Sequence, residues 1–145
     1  MKFHILAIGQ LKQGPEKDLL EQYSKRITWS LAIKELNPRK PSDTSSLILK
    51  NIPDSSAVIA LDERGKNLNS LEFFGLIQNY LDSGVKNLSF LIGGADGFEE
   101  AVRSKADHLI SFGRLTWPHM VVRALLVEQL YRSQQIINRH PYHRE

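Results

Sequence analysis

Five short apolar segments alternate with segments of helical character along the chain, and this alternation is the strongest constraint on its fold. The apolar segments are almost continuously hydrophobic and do not alternate with polar residues, which is typical of strands buried on both faces of a sheet. Strands separated by helices predict a parallel sheet covered by helices on both sides. The expected fold class is therefore α/β, a single-domain parallel-sheet sandwich. The predicted strands are residues 2–8, 31–36, 57–62, 87–92 and 108–112.

Helix signals fill the intervals between these strands. Pro15 suits a helix start, Ser70 is the expected cap of another helix, and Gly84 is placed to end that helix. The polar segment 37–46, "NPRKPSDTSS", carries two prolines and predicts a surface loop before a short helix. Two further helices are expected, at 98–106 and from Pro118 to about Asn138.

Composition limits the chain to few classes of protein. With 145 residues, 41% of them hydrophobic, the chain suits one domain spanning residues 1–145. It has no cysteine, which excludes disulfides, thiolate zinc sites and cysteine nucleophiles. No stretch approaches the roughly 20 apolar residues of a membrane helix, so we expect a soluble cytoplasmic protein with no membrane partner. A net charge of +3 slightly favours an anionic partner such as nucleic acid.

Three loops follow the carboxyl ends of predicted strands: "DERGKN" after the third, "GGADG" after the fourth and "GRLTW" after the fifth. Ligands of open α/β sheets bind beyond the carboxyl ends of the strands. Because the three strands lie close together in sequence, we expect their loops to line one cleft.

The glycines of "LIGGADGF" (91–98) do not form a phosphate-binding motif. A Walker loop needs a lysine and a hydroxyl residue after its last glycine, whereas Phe98 and Glu99 follow here. Asp96, Glu99 and Glu100 would also repel a phosphate. Two interpretations remain open: a turn whose glycines supply positive φ angles, or a wall where a neutral or cationic ligand touches the main chain.

The last helix and the tail hold a second group of candidate residues. His119 falls in the first helical turn, either bonded to nearby backbone or taking part in chemistry, and Arg123 follows four residues later on the same face. A metal site in "HPYH" is not expected, because Pro141 breaks the helical spacing and no third ligand is near. Cations mixed with an aromatic residue are typical of RNA contact. They occur in the tail at Arg139, His140, Tyr142, His143 and Arg144.

Five motifs together resemble one known family over essentially the whole chain. They are "KFHILAIGQLK", "IALDERGK", "LIGGADG", "LTWPHMVVRALLVEQLYR" and "NRHPYHRE", and they occur in the order found in that family. The chain is similar to the ribosomal RNA large-subunit methyltransferase H family, small enzymes of the SPOUT class. The alternatives are a non-catalytic RNA-binding α/β module and a SPOUT methyltransferase acting on another RNA such as tRNA.

The resemblance implies S-adenosylmethionine-dependent methylation of N3 of a pseudouridine in 23S rRNA, by a homodimer with a carboxyl-terminal trefoil knot. The tail residues Tyr142, His143 and Arg144 would lie on the substrate side of the site. The family usually has a serine where this chain has Gly113. The cofactor would lie against the residues matching Leu61, Gly93, Phe112, Gly113, Arg114, Leu115, Thr116 and Trp117.

Methyl transfer from a sulfonium is an in-line displacement that needs no metal, with the nucleophile held about 3 Å from the methyl carbon. The proton on N3 must leave, and we hypothesise that His119 or His143 accepts it or orients a water that does. With Arg123 and Tyr142 these histidines form the expected catalytic set. Without a separate RNA-binding domain, the protein is expected to recognise a preformed shape, the assembled ribosome. The expected phosphate contacts are Arg123 (which alternatively orders the active site), Arg132, Arg139 and Arg144, with Tyr142 stacking on a base.

Overall fold

Five parallel strands form one sheet in the computed structural model of the chain, which describes residues 1–144. Glu145, the last residue of "NRHPYHRE", lies outside the described residues. The strands are β1 (Lys2–Ile8), β2 (Leu31–Leu36), β3 (Ser56–Asn67), β4 (Asn87–Ile92) and β5 (His108–Ser111). Their order across the sheet is β2-β1-β4-β3-β5, and every neighbouring pair is parallel.

The helices cover both faces of this sheet, as expected for a parallel α/β fold. They are α1 (Pro15–Ser24), α2 (Thr44–Asn51), α3 (Ser70–Asp82), α4 (Glu100–Lys105) and α5 (His119–Ile137). One core packs under α1, α3 and α5, and the other packs under α2 and α4. Within residues 1–144 no helix is long and apolar enough to cross a membrane. The α/β parallel-sheet prediction is confirmed.

The central strands are buried because helices cover both of their faces. Ile5 in β1 and Phe90 and Leu91 in β4 are fully buried. Ile5 and Phe90 belong to one core, while Leu91 belongs to the other. Burying a side chain of this size contributes about 1.5–3 kcal/mol to stability. Because successive side chains of these strands are buried on opposite faces, the sequence is continuously apolar there.

Several element boundaries differ from the sequence prediction. Asn69, not Ser70, caps α3: its side chain accepts a hydrogen bond from the Glu72 backbone N–H, and the Glu72 carboxylate accepts one from Asn69 N–H. Pro118 precedes α5 as its cap and is not its first helical residue. Gly84 follows α3 with φ +74°, the left-handed conformation expected of it.

The segment after the third predicted strand, "ERGKN", is not a free loop. Strand β3 runs on to Asn67, and both Leu61 and Lys66 align with Ile110 of β5 around an irregularity in the register. Gly65 makes this arrangement possible, because its main chain lies directly against that of β5. A Cβ atom there would fall 2.5 Å from the Ile110 nitrogen. The trefoil knot implied by the family resemblance stays a prediction.

We predict that Gly65→Ala destabilises the protein by about 1–3 kcal/mol, because the added methyl group collides with backbone that cannot move aside cheaply. The matched control is Gly75→Ala inside α3, where a Cβ atom meets nothing within 4 Å. That control should gain about 0.5–1 kcal/mol of stability from reduced backbone entropy. Urea unfolding of both variants measures the difference, and equal midpoints would contradict the close approach at Gly65.

Candidate functional site

The three loops expected to meet do line one cavity, of about 590 Å³, at the carboxyl edge of the sheet. This size lies in the range of small-molecule sites. The cavity opens between the end of β3, the glycine loop after β4 and the segment that joins β5 to α5. The predicted cleft is therefore confirmed. Of the residues expected to contact a cofactor or to act in catalysis, its walls include Leu61, Gly93, Phe112, Leu115, Thr116, Trp117 and His119.

The glycine loop is both a tight turn and a cavity wall, so the two interpretations of its sequence hold together. Gly97 N–H donates to the Gly94 carbonyl at 3.1 Å, and Gly97 has φ +72°. At Gly93, a Cβ atom would lie 3.4 Å from the Gly97 main chain. The positive φ of Gly97 favours glycine there, and the bare Cα atoms of the three glycines leave main chain as part of the cavity surface.

Two hydrogen bonds from side chains to backbone carbonyls hold the segment between β5 and α5. The Trp117 indole N–H donates to the Phe112 carbonyl at 3.1 Å, and the Ser111 hydroxyl donates to the Gly113 carbonyl at 2.7 Å. Leu115 is 73% exposed at the cavity mouth. Such an exposed apolar side chain is available to cover a bound ligand.

Gly113 and Arg114, which were also expected to contact a cofactor, lie outside the set of residues that line the cavity. Both are exposed. Gly113 has φ +104°, a backbone conformation that a serine side chain would strain. Glycine therefore suits the backbone conformation at position 113.

Three carboxylates and two guanidinium groups are among the side chains that line the cavity. They belong to Asp62, Glu63 and Asp96, and to Arg64 and Arg103, the last of these from α4. Arg103 is held in place, since its guanidinium donates to the Phe98 carbonyl and lies 4.0 Å from the Asp62 carboxylate. This charge balance favours a cationic or neutral ligand over a phosphate.

Arg123 does not line this cavity. The expectation that it contacts an RNA phosphate is wrong, because its side chain is buried. Its side chain is 1% exposed. The guanidinium donates to the carbonyls of Ile8 and Gly9 at 2.7 and 2.8 Å, and to the Glu35 carboxylate at 2.9 Å. Burial lowers the Arg123 pKa from its ordinary value, and Glu35 opposes that effect. Arg123 therefore orders the site by fixing α5 to the ends of β1 and β2.

The tail packs against the second half of its own α5. The Tyr142 hydroxyl donates to the Glu128 carboxylate at 2.8 Å, and Arg132 binds the same carboxylate at 2.6 Å. The Arg132 guanidinium stacks over the Tyr142 ring and lies 3.2 Å from His143 Nδ1. Burial, followed by Tyr23 and Glu128, raises the pKa of Tyr142, so its hydroxyl stays protonated and donates.

The structure does not bring the tail and the cavity together within one chain. None of the described tail residues lines the cavity, and Tyr142 is bound at Glu128, six residues or about 9 Å along α5 from Val122 on the cavity wall. The predicted RNA-contacting residues Arg139 and Arg144 are exposed. Arg132 is partly buried and already paired with Glu128. The expected substrate-side residues Tyr142, His143 and Arg144 are therefore not part of the cavity wall of their own chain.

Two structural residues were missed by the sequence analysis. Glu128 organises the tail, and its spacing of four residues from Arg132 was a readable signal. Glu35, the partner of Arg123, lies 88 positions away in sequence and carried no such signal.

Comparisons with known proteins agree with this architecture. The family described as "Predicted SPOUT methyltransferase" matches residues 1–143. The chain belongs to this family. Its relatives include proteins named ribosomal RNA large subunit methyltransferase H. The one from Paramagnetospirillum magneticum is 45% identical, with 99% of each chain covered. The one from Sphingopyxis alaskensis is 46% identical, with 100% of this chain and 98% of the relative covered.

A solved SPOUT-type structure shares the fold despite little sequence similarity. The SpoU methyltransferase AviRb from Streptomyces viridochromogenes superposes with a TM-score of 0.52 at 13% identity. The match covers 96% of this chain and 61% of AviRb. The sheet and helices of the present chain thus share the fold of part of a longer SpoU methyltransferase.

We predict that Arg123→Met lowers the free energy of unfolding by at least about 2 kcal/mol, because two carbonyls and a carboxylate lose a charged donor. Arg114→Met is the control, since Arg114 is exposed and forms no ion pair with any described residue. Its effect should stay within about 0.5 kcal/mol. Urea unfolding at one fixed protein concentration measures both variants. An unfolding midpoint equal to that of the wild type for Arg123→Met would refute the anchoring role.

Proposed function

We propose that this protein is a ribosomal RNA methyltransferase that uses S-adenosylmethionine to methylate N3 of a pseudouridine in 23S rRNA. It would act in the cytoplasm on assembled ribosomes. Membership of the SPOUT methyltransferase family and the names of its relatives support the reaction class. The observation that carries the proposal is the cavity built by three loops at the carboxyl edge of the sheet.

The cavity residues fit S-adenosylmethionine in size, surface and charge. Its volume of about 590 Å³ suits a ligand of that class. Main chain at Gly93 and Gly94 offers donors and acceptors for an adenosine, and Leu61 and Phe112 supply apolar surface. The acidic excess on the walls is compatible with a cationic sulfur. Gly113 and Arg114 would contribute through the loop conformation alone.

Bound S-adenosylmethionine supplies an electrophilic methyl group carried on a positively charged sulfur. The three loops orient that group and exclude water from it. His119 lies on the cavity wall and in the first turn of α5. A neutral imidazole is able to accept the proton from N3 of the target base, the role proposed for His119 or His143.

The substrate side of the site is proposed to come from a second copy of the chain. Tyr142 is bound at Glu128, about 9 Å along α5 from Val122 on the cavity wall, and none of the described tail residues lines the cavity of its own chain. In a two-fold dimer, the tail of each copy would cover the cavity of the other. Tyr142, His143 and Arg144 would then meet RNA, with Arg139 on the same exposed surface.

The purified protein should transfer tritiated methyl groups from S-adenosylmethionine to ribosomes that lack the modification. Incorporation should approach one methyl per ribosome, and mapping should place it at N3 of a single pseudouridine in 23S rRNA. Ribosomes that already carry the modification are the control and should accept none. Label found in tRNA instead, or no binding heat with S-adenosylmethionine in calorimetry, would contradict the proposal.

Variants in the cavity and in the tail should complement each other. His119→Ala and His143→Ala should each reduce turnover about 100-fold, the lower range for loss of general acid–base catalysis. Because one of the two sites in a mixed dimer stays intact, an equimolar mixture should recover up to about a quarter of wild-type activity. Unchanged pH–rate profiles in both variants would exclude these histidines as proton acceptors. Sedimentation of the wild type as a monomer at micromolar concentration would exclude the shared site.

A further inference from the structure

A second hollow, of about 380 Å³, lies on the other side of the glycine loop. Gly94 to Phe98 form one wall of this hollow as well as a wall of the main cavity. The opposite wall is the polar segment 37–46 and the first turn of α2, which the proposed function leaves without a role. We call this space the second hollow.

The second hollow lies where parallel α/β sheets commonly bind ligands. Strands β1 and β4 are neighbours, but the helix that follows β1 packs on one face of the sheet and the helix that follows β4 packs on the other. A crevice opens between such diverging connections. Ile8 at the end of β1 forms part of its lining, and a Cβ atom at Gly94 would lie 3.4 Å from the Ile8 side chain.

Charge is divided between the two walls of the second hollow. Arg39 and Lys40 stand on one side, both exposed, and within residues 1–144 neither forms an ion pair. Asp96 and Glu99 stand on the glycine-loop side. This polarity suits a ligand with an anion at one end and hydrogen-bond donors at the other.

Hydroxyl groups and apolar side chains also line the second hollow, in addition to the charged groups. Thr44 and Ser45 offer hydroxyl groups that can bond a ribose, and Ile8, Ile48 and Phe98 supply apolar surface. A nucleotide carries a phosphate, a ribose and a flat base. Carboxylates accept hydrogen bonds from the amino groups of adenine, cytosine or guanine and from the N3–H group of uracil.

We propose that the second hollow binds one nucleotide of the substrate RNA, next to the nucleotide that enters the main cavity. Arg39 and Lys40 hold its phosphate, and Asp96 and Glu99 accept from an N–H group of its base. The glycine loop thus separates two neighbouring nucleotides of one strand. This inference rests on the proposed function, because the strand is the methylated RNA.

The double variant Arg39→Gln/Lys40→Gln tests the phosphate contact. Its KM for unmodified ribosomes should rise about tenfold, and the slope of log affinity against log salt should fall by about 1.4 for two contacts to a single strand. The Kd of this double variant for S-adenosylmethionine, measured by calorimetry, should equal that of the wild type. The matched control is Lys2→Gln/Lys86→Gln, which removes two exposed cations at the opposite, amino edge of the sheet and should leave the KM unchanged.

Site-directed cross-linking identifies the nucleotide in the second hollow. Because the chain has no cysteine, Ser45→Cys can carry a single photoactivatable group, with Lys86→Cys as the control. The cross-link from position 45 should map to one nucleotide within a few positions of the methylated base. The control should give no cross-link there.

The outcomes separate this inference from the proposed function. If wild-type protein methylates ribosomes but the Arg39/Lys40 variant keeps the wild-type KM and salt slope, the second hollow does not bind RNA and the methyltransferase assignment stands. A weakened Kd for S-adenosylmethionine in that variant assigns the hollow to the methyl donor and overturns the inference, as does a cross-link that maps far from the methylated nucleotide. If wild-type protein methylates no ribosome, both proposals fail.

Discussion

The anchoring of α5 by Arg123 is the interaction on which the rest of the site depends. One buried guanidinium binds two carbonyls at the end of β1 and the carboxylate of Glu35 on β2. This contact fixes the start of the helix at the carboxyl edge of the sheet, and His119 is one turn away from it. The far half of the same helix carries Glu128 and Arg132, which hold the tail. A shift of α5 would therefore move the cavity wall and the tail together.

The main cavity is built largely from loops and main chain, with glycines at the positions of closest approach. Gly65 allows the end of β3 to lie against β5, and Gly93, Gly94 and Gly97 shape the wall after β4. Such a surface presents backbone donors and acceptors at fixed positions, since the turns that carry them are held by their own hydrogen bonds. Such a site suits a ligand that is recognised by its shape and its hydrogen-bonding groups and does not depend on a strongly charged partner in the protein.

The sequence predicted the fold class and the convergence of the three loops because both follow from local patterns. Continuously apolar strands imply a sheet covered on both faces, and parallel strands place their carboxyl ends at one edge. It failed at particular residues for equally physical reasons. For Arg123 the pattern left open an RNA contact or a role in ordering the active site, and only its pairing with Glu35, 88 positions away, decided for the second. Gly113 and Arg114 belong to a loop that contributes to the cavity, yet the path of that loop points them away from it.

The sequence alone determined the order of strands and helices, the glycine-rich loops at the cavity and the family, since each is written in residue types and short spacings. The tertiary structure decided which charges are free. It buried Arg123, paired Arg132 with Glu128 and left Arg39 and Lys40 beside a second hollow. It also placed the tail away from its own cavity. These outcomes depend on distances between residues far apart in the chain, which only the packing of α5 and the loops on the sheet establishes.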